Sequence, residues 1–91
     1  MFKDNRYSYV KSVWKAGDLN TFDEIFHIVP KSICAKDLDV NYQRFVLKIS
    51  HPERFTFEEM NRIARLLELE PKILANLVLI AIERKSRIPK N

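Results

Sequence analysis

Glycine and cysteine are almost missing from this sequence, with Gly17 and Cys34 the only examples, and proline occurs four times. One glycine leaves little material for tight hairpins or flexible linkers, so a β-rich fold is excluded in favour of a mostly helical one. One cysteine cannot form an intramolecular disulfide. It lies within an apolar stripe, where a small buried thiol is ordinary, and a reduced, cytoplasmic setting is expected. Long apolar runs are also missing. The longest, "ILANLVLIAI" from Ile73 to Ile82, contains Asn76 and is about half of what a bilayer crossing needs, so no membrane partner is expected. "MFKDNRYSYV" has no basic segment followed by an apolar stretch, so a signal peptide is not expected either.

What is present is globular in proportion: 91 residues, 46% hydrophobic and 31% charged, enough for one domain (1–91) with a single modest core. The net charge of +4 tilts partner choice toward an anionic surface such as nucleic acid.

Periodicity places the helices. Tyr7, Val10 and Trp14 share a face of an N-terminal helix over 6–16, and Gly17 suits its left-handed end. Thr21 and Glu24 have capping-box spacing before Phe22, Ile25, Phe26 and Val29, and Pro30 stops that helix. A short helix follows in "SICAKDL", with Ser32 as its expected cap and Ile33, Ala35 and Leu38 inward. After the turn "DVN", Asn41 caps "YQRFVLKIS", whose inward arc at 100° per residue is Tyr42, Phe45, Val46 and Ile49. "HPERF" is read as a loop. A second capping box, Thr56 to Glu59, opens the next helix with Met60, Ile63, Ala64 and Leu67 inward. Pro71 begins the last helix, over 71–85, apolar all round in its middle and followed by a basic tail over 86–91.

Enzyme chemistry finds no footing in these residues. His27, His51 and Cys34 lack metal-ligand spacing, and no glycine-rich phosphate loop exists. Asp23, Glu24, Glu58 and Glu59 start helices, where they complement the dipole. No catalytic residue, metal or cofactor is expected.

The order Ala35, Leu38, Asp39, Val40, Asn41, Phe45, Ile49 resembles the helix-turn-helix of phage repressor and Cro-type regulators, the XRE or lambda-repressor-like family. That family places a small residue four before a turn glycine, then an aliphatic, then a polar cap. "FTFEEMNRIARLLELEPKIL" resembles the helix that follows in that family, and the likeness spans about 21 to 74. Asp39 stands where glycine is usual, and the segment from Asn41 to the next helix is a residue longer than typical. The resemblance implies an all-α bundle of about six helices, with the helix-turn-helix at about 32–49 inside a core at 21–70 and an added N-terminal helix.

It further implies a recognition helix at 42–49 lying in the major groove of double-stranded DNA, and a role in transcription regulation. Gln43 and Arg44 are then the base readers, because glutamine can pair two-fold with adenine and arginine with guanine. Leu47 would touch a thymine methyl. Lys31, Ser32, Asn41, Lys48 and Arg54 are placed for phosphates. Between Lys31 and Arg54 five basic residues face three acidic ones, whereas 56–70 is net acidic. The last helix is either the central core helix of a monomer or, the reading preferred here, a homodimer interface through Leu77, Leu79, Ile80 and Ile82. The rival from another class is a protein-protein module, adaptor or antitoxin-like, using the same fold without reading DNA.

Overall fold

A computed structural model describes residues 4–86. Among them are six helices: α1 (Asn5–Lys15), α2 (Phe22–Ile28), α3 (Lys31–Leu38), α4 (Tyr42–Ser50), α5 (Phe57–Leu67) and α6 (Pro71–Ser86). A single 3-10 turn, Pro52–Arg54, interrupts what the sequence presents as the loop "HPERF". The tail residues 87–91 lie outside the described residues.

Local chemistry explains most of the ends. Asp4 caps α1 by accepting from the Arg6 amide at 2.9 Å. Thr21 and Asn41 cap α2 and α4 by accepting from the Glu24 and Arg44 amides. At Thr56 the full reciprocal box forms, Thr56 Oγ1 taking the Glu59 amide and the Glu59 carboxylate taking the Thr56 amide. The box expected at Thr21 is altered: the Glu24 carboxylate accepts from the Thr21 hydroxyl and from the Asn20 amide, one residue further out.

Three helix ends share one device. Gly17, Asp39 and Glu68 all have positive φ, at 80°, 57° and 57°. In each case the amide of that residue bonds three residues back and the next amide bonds five back, as in Asp39 N to Lys36 O at 3.1 Å and Val40 N to Ala35 O at 3.0 Å. This is the Schellman arrangement, which satisfies the last carbonyls of a helix. The sequence places glycine in only the first of the three.

The core joins residues from every helix. Phe22, Ile25, Phe26 and Val29 of the α2 segment, Phe45 and Ile49 of α4, and Met60, Ile63, Ala64 and Leu67 of α5 are all buried, as their spacing predicts. Phe22, Phe26, Phe45 and Phe55 close a ring of edge-to-face contacts with centroids 5.2 to 6.5 Å apart, fastening α2 and α4 to the chain after the 3-10 turn. Helix α6 packs on α5, α2 and the 3-10 turn, and α3 packs on α4 and α5.

Several expectations are corrected. Ser32 does not cap α3; the helix starts at Lys31 after Pro30, with no side-chain cap. Cys34 takes the buried place on α3, and Ile33 is only half-buried. Tyr42 does not join the inward arc of α4 but is 51% exposed. It follows directly on the Asn41 cap, where the helix is only beginning, so an arc that is covered further along is open here. Helix α6 is not covered all round: Leu79 is 58% exposed, while Leu77 is buried at 5% in the chain's own core. Leu77 therefore cannot serve as a surface for a second copy.

Candidate nucleic-acid interface

The α3–α4 pair is held against the bundle by three polar clamps. The Tyr7 hydroxyl of α1 donates to Asp37 Oδ2 of α3 at 2.6 Å. Arg62 of α5 donates to the Leu38 carbonyl, one of the acceptors that the end of α3 leaves over. Lys48 of α4 forms an ion pair with Glu59 of α5. A fourth contact supports the end of α4: the Lys85 ammonium on α6 reaches the Ser50 carbonyl at 3.4 Å, the His51 ring and the Glu53 carboxylate at 3.5 Å.

These clamps fix which side of α4 faces out. Phe45 and Ile49 point into the core, and Gln43, Arg44 and Leu47 are exposed. Among the described residues the side chains of Gln43 and Arg44 have no hydrogen bond or ion pair, and the Arg44 backbone amide donates to the Asn41 cap. Leu47, the third base-reading candidate, is 51% exposed on the same face.

Two hollows flank the helix. On one side a groove of about 940 Å³ runs between the start of α3, Tyr42 and Ile49 of α4, and the end of α6. Lys31 and Ser32 are on its wall, as are Arg84 and Lys85 of α6. On the other side Arg44 and Lys48 line a smaller pocket of about 240 Å³ shared with α5.

The five phosphate candidates therefore separate. Lys31 and Ser32 share the groove beside Tyr42, and Arg54 is exposed on the 3-10 turn. Asn41 is exposed, but its Oδ1 is occupied by the Arg44 amide. Lys48 is half-buried with its charge met by Glu59. Partial burial acts to raise the Glu59 carboxyl, but the Lys48 ammonium and the Thr56 amide outweigh it and hold its pKa below the usual range.

Tyr42, Arg84 and Lys85 also line the groove, and none of the three was among the expected site residues, although the basic end of the last helix is visible in the sequence as a source of nonspecific attraction. Arg84 and Lys85 sit some fifty residues from Lys31, and only the packing of α6 against α2 brings them to one groove. The basic character of "ERKS" was the available signal, though nothing local says which hollow it faces.

Among the described residues no group of three or more His, Cys, Asp or Glu side chains is arranged to hold a metal ion. Nor is any helix there long and apolar enough to cross a membrane. Comparison with protein-family models, with curated proteins and with solved structures finds no match to this chain.

Proposed function

We propose that this protein binds double-stranded DNA sequence-specifically, with α4 in the major groove, and acts as a small transcriptional regulator. The observation that carries the reading is the state of Gln43 and Arg44: two side chains suited to bidentate base contacts, exposed on one short helix and unengaged among the described residues. Lys48 and Arg62, by contrast, are engaged with Glu59 and with the Leu38 carbonyl. The resemblance of residues 21–74 to the repressor and Cro type supports the same use of the α3–α4 pair.

Phosphate contacts in this reading come from Lys31 and Ser32 at the groove and from the exposed Arg54 on the 3-10 turn, with Asn41 contributing its amide nitrogen. Lys48 serves chiefly to fasten α4 to α5. The protein pairs as a homodimer through the outer face of α6, where Leu79 is exposed and Ile80 and Ile82 are half-buried. Its working compartment in this reading is the cytoplasm.

Selection of bound duplexes from a random pool, repeated with Gln43→Ala and Arg44→Ala, tests the assignment. A defined site should be enriched, and each variant should relax preference at its own position. Enrichment of no sequence, or of the same site unchanged by both variants, rejects it.

One observation favours a protein-binding module instead. Tyr42 and Leu47 expose large apolar surface on α4 itself. The two readings separate by salt: phosphate contacts make DNA affinity fall steeply between low and moderate salt, whereas an apolar protein interface changes little. Sedimentation at micromolar concentration tests the dimer, and a strict monomer that binds DNA as a single unit rejects it.

A further inference from the structure

The small pocket between α4 and α5 combines two properties seldom found together on a surface. Its apolar lining is supplied by Leu38, Val40, Phe45, Phe55 and Ile63. Its charged lining is Arg44, Lys48 and Arg62 against a single carboxylate, Glu59. Glu59 is already committed to Lys48. Arg62 spends one nitrogen on the neutral Leu38 carbonyl, and among the described residues neither it nor Arg44 has a carboxylate partner. Two guanidinium charges thus remain uncompensated at the wall of one apolar pocket.

We propose that this pocket binds a small amphiphilic monocarboxylate, its aryl or short alkyl body against the apolar residues and its carboxylate between Arg44 and Arg62. Guanidinium and carboxylate match in plane and spacing, so a carboxylate head is recognised by paired N–H···O bonds as well as by charge. The volume of about 240 Å³ suits a ligand of that size and not a peptide or nucleotide. The occupant engages Arg44, drawing it off the outward face of α4. That last consequence rests on the DNA-binding reading and makes the ligand a negative effector; the binding itself does not rest on it.

The test is a titration of the full chain, without DNA, followed by amide NMR. Phenylacetate and hexanoate are the probes, phenylethanol and hexanol their neutral counterparts, and inorganic phosphate the control for charge alone. The carboxylates should saturate with a Kd on the order of 1 mM or tighter, shifting amides at Val40, Phe45 and Ile63. The alcohols should bind at least about tenfold more weakly, for want of the charged hydrogen bonds. Phosphate should give no shifts at those positions. Arg44→Met should weaken the carboxylates by about tenfold, and Lys31→Met should leave them unchanged.

Non-saturating shifts, alcohols binding as well as carboxylates, or shifts gathered around Lys31 and Arg84 overturn the proposal. The comparison of carboxylate with alcohol uses the unaltered protein, so it decides even if a variant folds poorly. A DNA competition arm is read separately. Binding of phenylacetate that leaves DNA affinity unchanged overturns the effector role alone.

Discussion

The Tyr7 hydroxyl donates to the Asp37 carboxylate at 2.6 Å, joining the first helix of the chain to the third across thirty residues of sequence. The Tyr7 ring is fully buried, and desolvation, reinforced by the Asp37 hydrogen bond, raises its pKa well above the ordinary tyrosine value. A raised pKa in the folded state means the neutral phenol is favoured there. Its contribution to stability is full below about pH 10, the unfolded value, and is lost as pH climbs above it. Tyr7→Phe should cost about 1.5 kcal/mol at neutral pH, since it removes a hydrogen bond to a charged group, and should flatten the alkaline loss. Urea unfolding on either side of pH 10 measures both.

Cys34 lies beside that bond. It is buried, and desolvation pushes its thiol up to about 11. The thiolate is the reactive form, so Cys34 should resist a disulfide reagent at pH 8 in the native protein and react at once in urea. Reaction of the native protein at the rate of an exposed thiol would refute its placement.

Asp39 holds φ at 57° at the turn between α3 and α4, a conformation that glycine adopts without penalty. Asp39→Gly should stabilise the fold by about 1 kcal/mol, read as a higher urea midpoint at unchanged slope. Glu68→Gly tests the same physics at the end of α5. A loss of stability at both positions would contradict the left-handed assignment.

Leu77 and Leu79 stand two residues apart on α6 and should behave oppositely. Leu77→Ala opens a cavity in the core and should cost about 3 kcal/mol of unfolding free energy. Leu79→Ala should change unfolding by less than about 0.5 kcal/mol, and in the dimer reading it should weaken self-association. Chemical denaturation and sedimentation of the two variants separate the effects.

In the DNA-binding reading, Lys31 and Lys48 make a similar contrast. Each phosphate contact contributes about 0.9 to the slope of log affinity against log salt, so Lys31→Met should flatten that slope by nearly this amount. Lys48→Met should change the slope much less, because Glu59 already neutralises the ammonium, and should cost stability instead.

The acid side follows from the same pair. The Glu59 pKa is lowered in the folded state, so its contribution to stability is full above the ordinary glutamate value of about 4.3 and is lost as pH falls below it. The acid unfolding curves of Glu59→Gln and Lys48→Met should lack that component.

Much of the architecture was legible from residue order. Capping at Thr21, Asn41 and Thr56, the glycine end at Gly17, the stop at Pro30 and the start at Pro71 are local, decided within a few residues, so the sequence marks them directly. The inward arcs of α2 and α5 follow from a 100° period and are buried as predicted. The left-handed end at Asp39 was legible, since the resemblance sets Asp39 at the turn position usually given to glycine, whereas the one at Glu68 was not, because nothing in a glutamate advertises a glycine-like conformation.

For the candidate site, the sequence alone determined that α4 exists, where it is capped and that Gln43, Arg44 and Leu47 point away from Phe45 and Ile49. Tertiary packing decided the rest. Periodicity says which residues share a face and not how far the neighbouring helix extends to cover it, so Tyr42 emerged exposed and Leu77 buried. Charge in a sequence likewise has no address until the chain is folded. The arrival of α5 neutralised Lys48 with Glu59, left Arg44 and Arg62 at the same pocket without a carboxylate partner among the described residues, and so divided among separate tasks a set of cations that the sequence presents as alike.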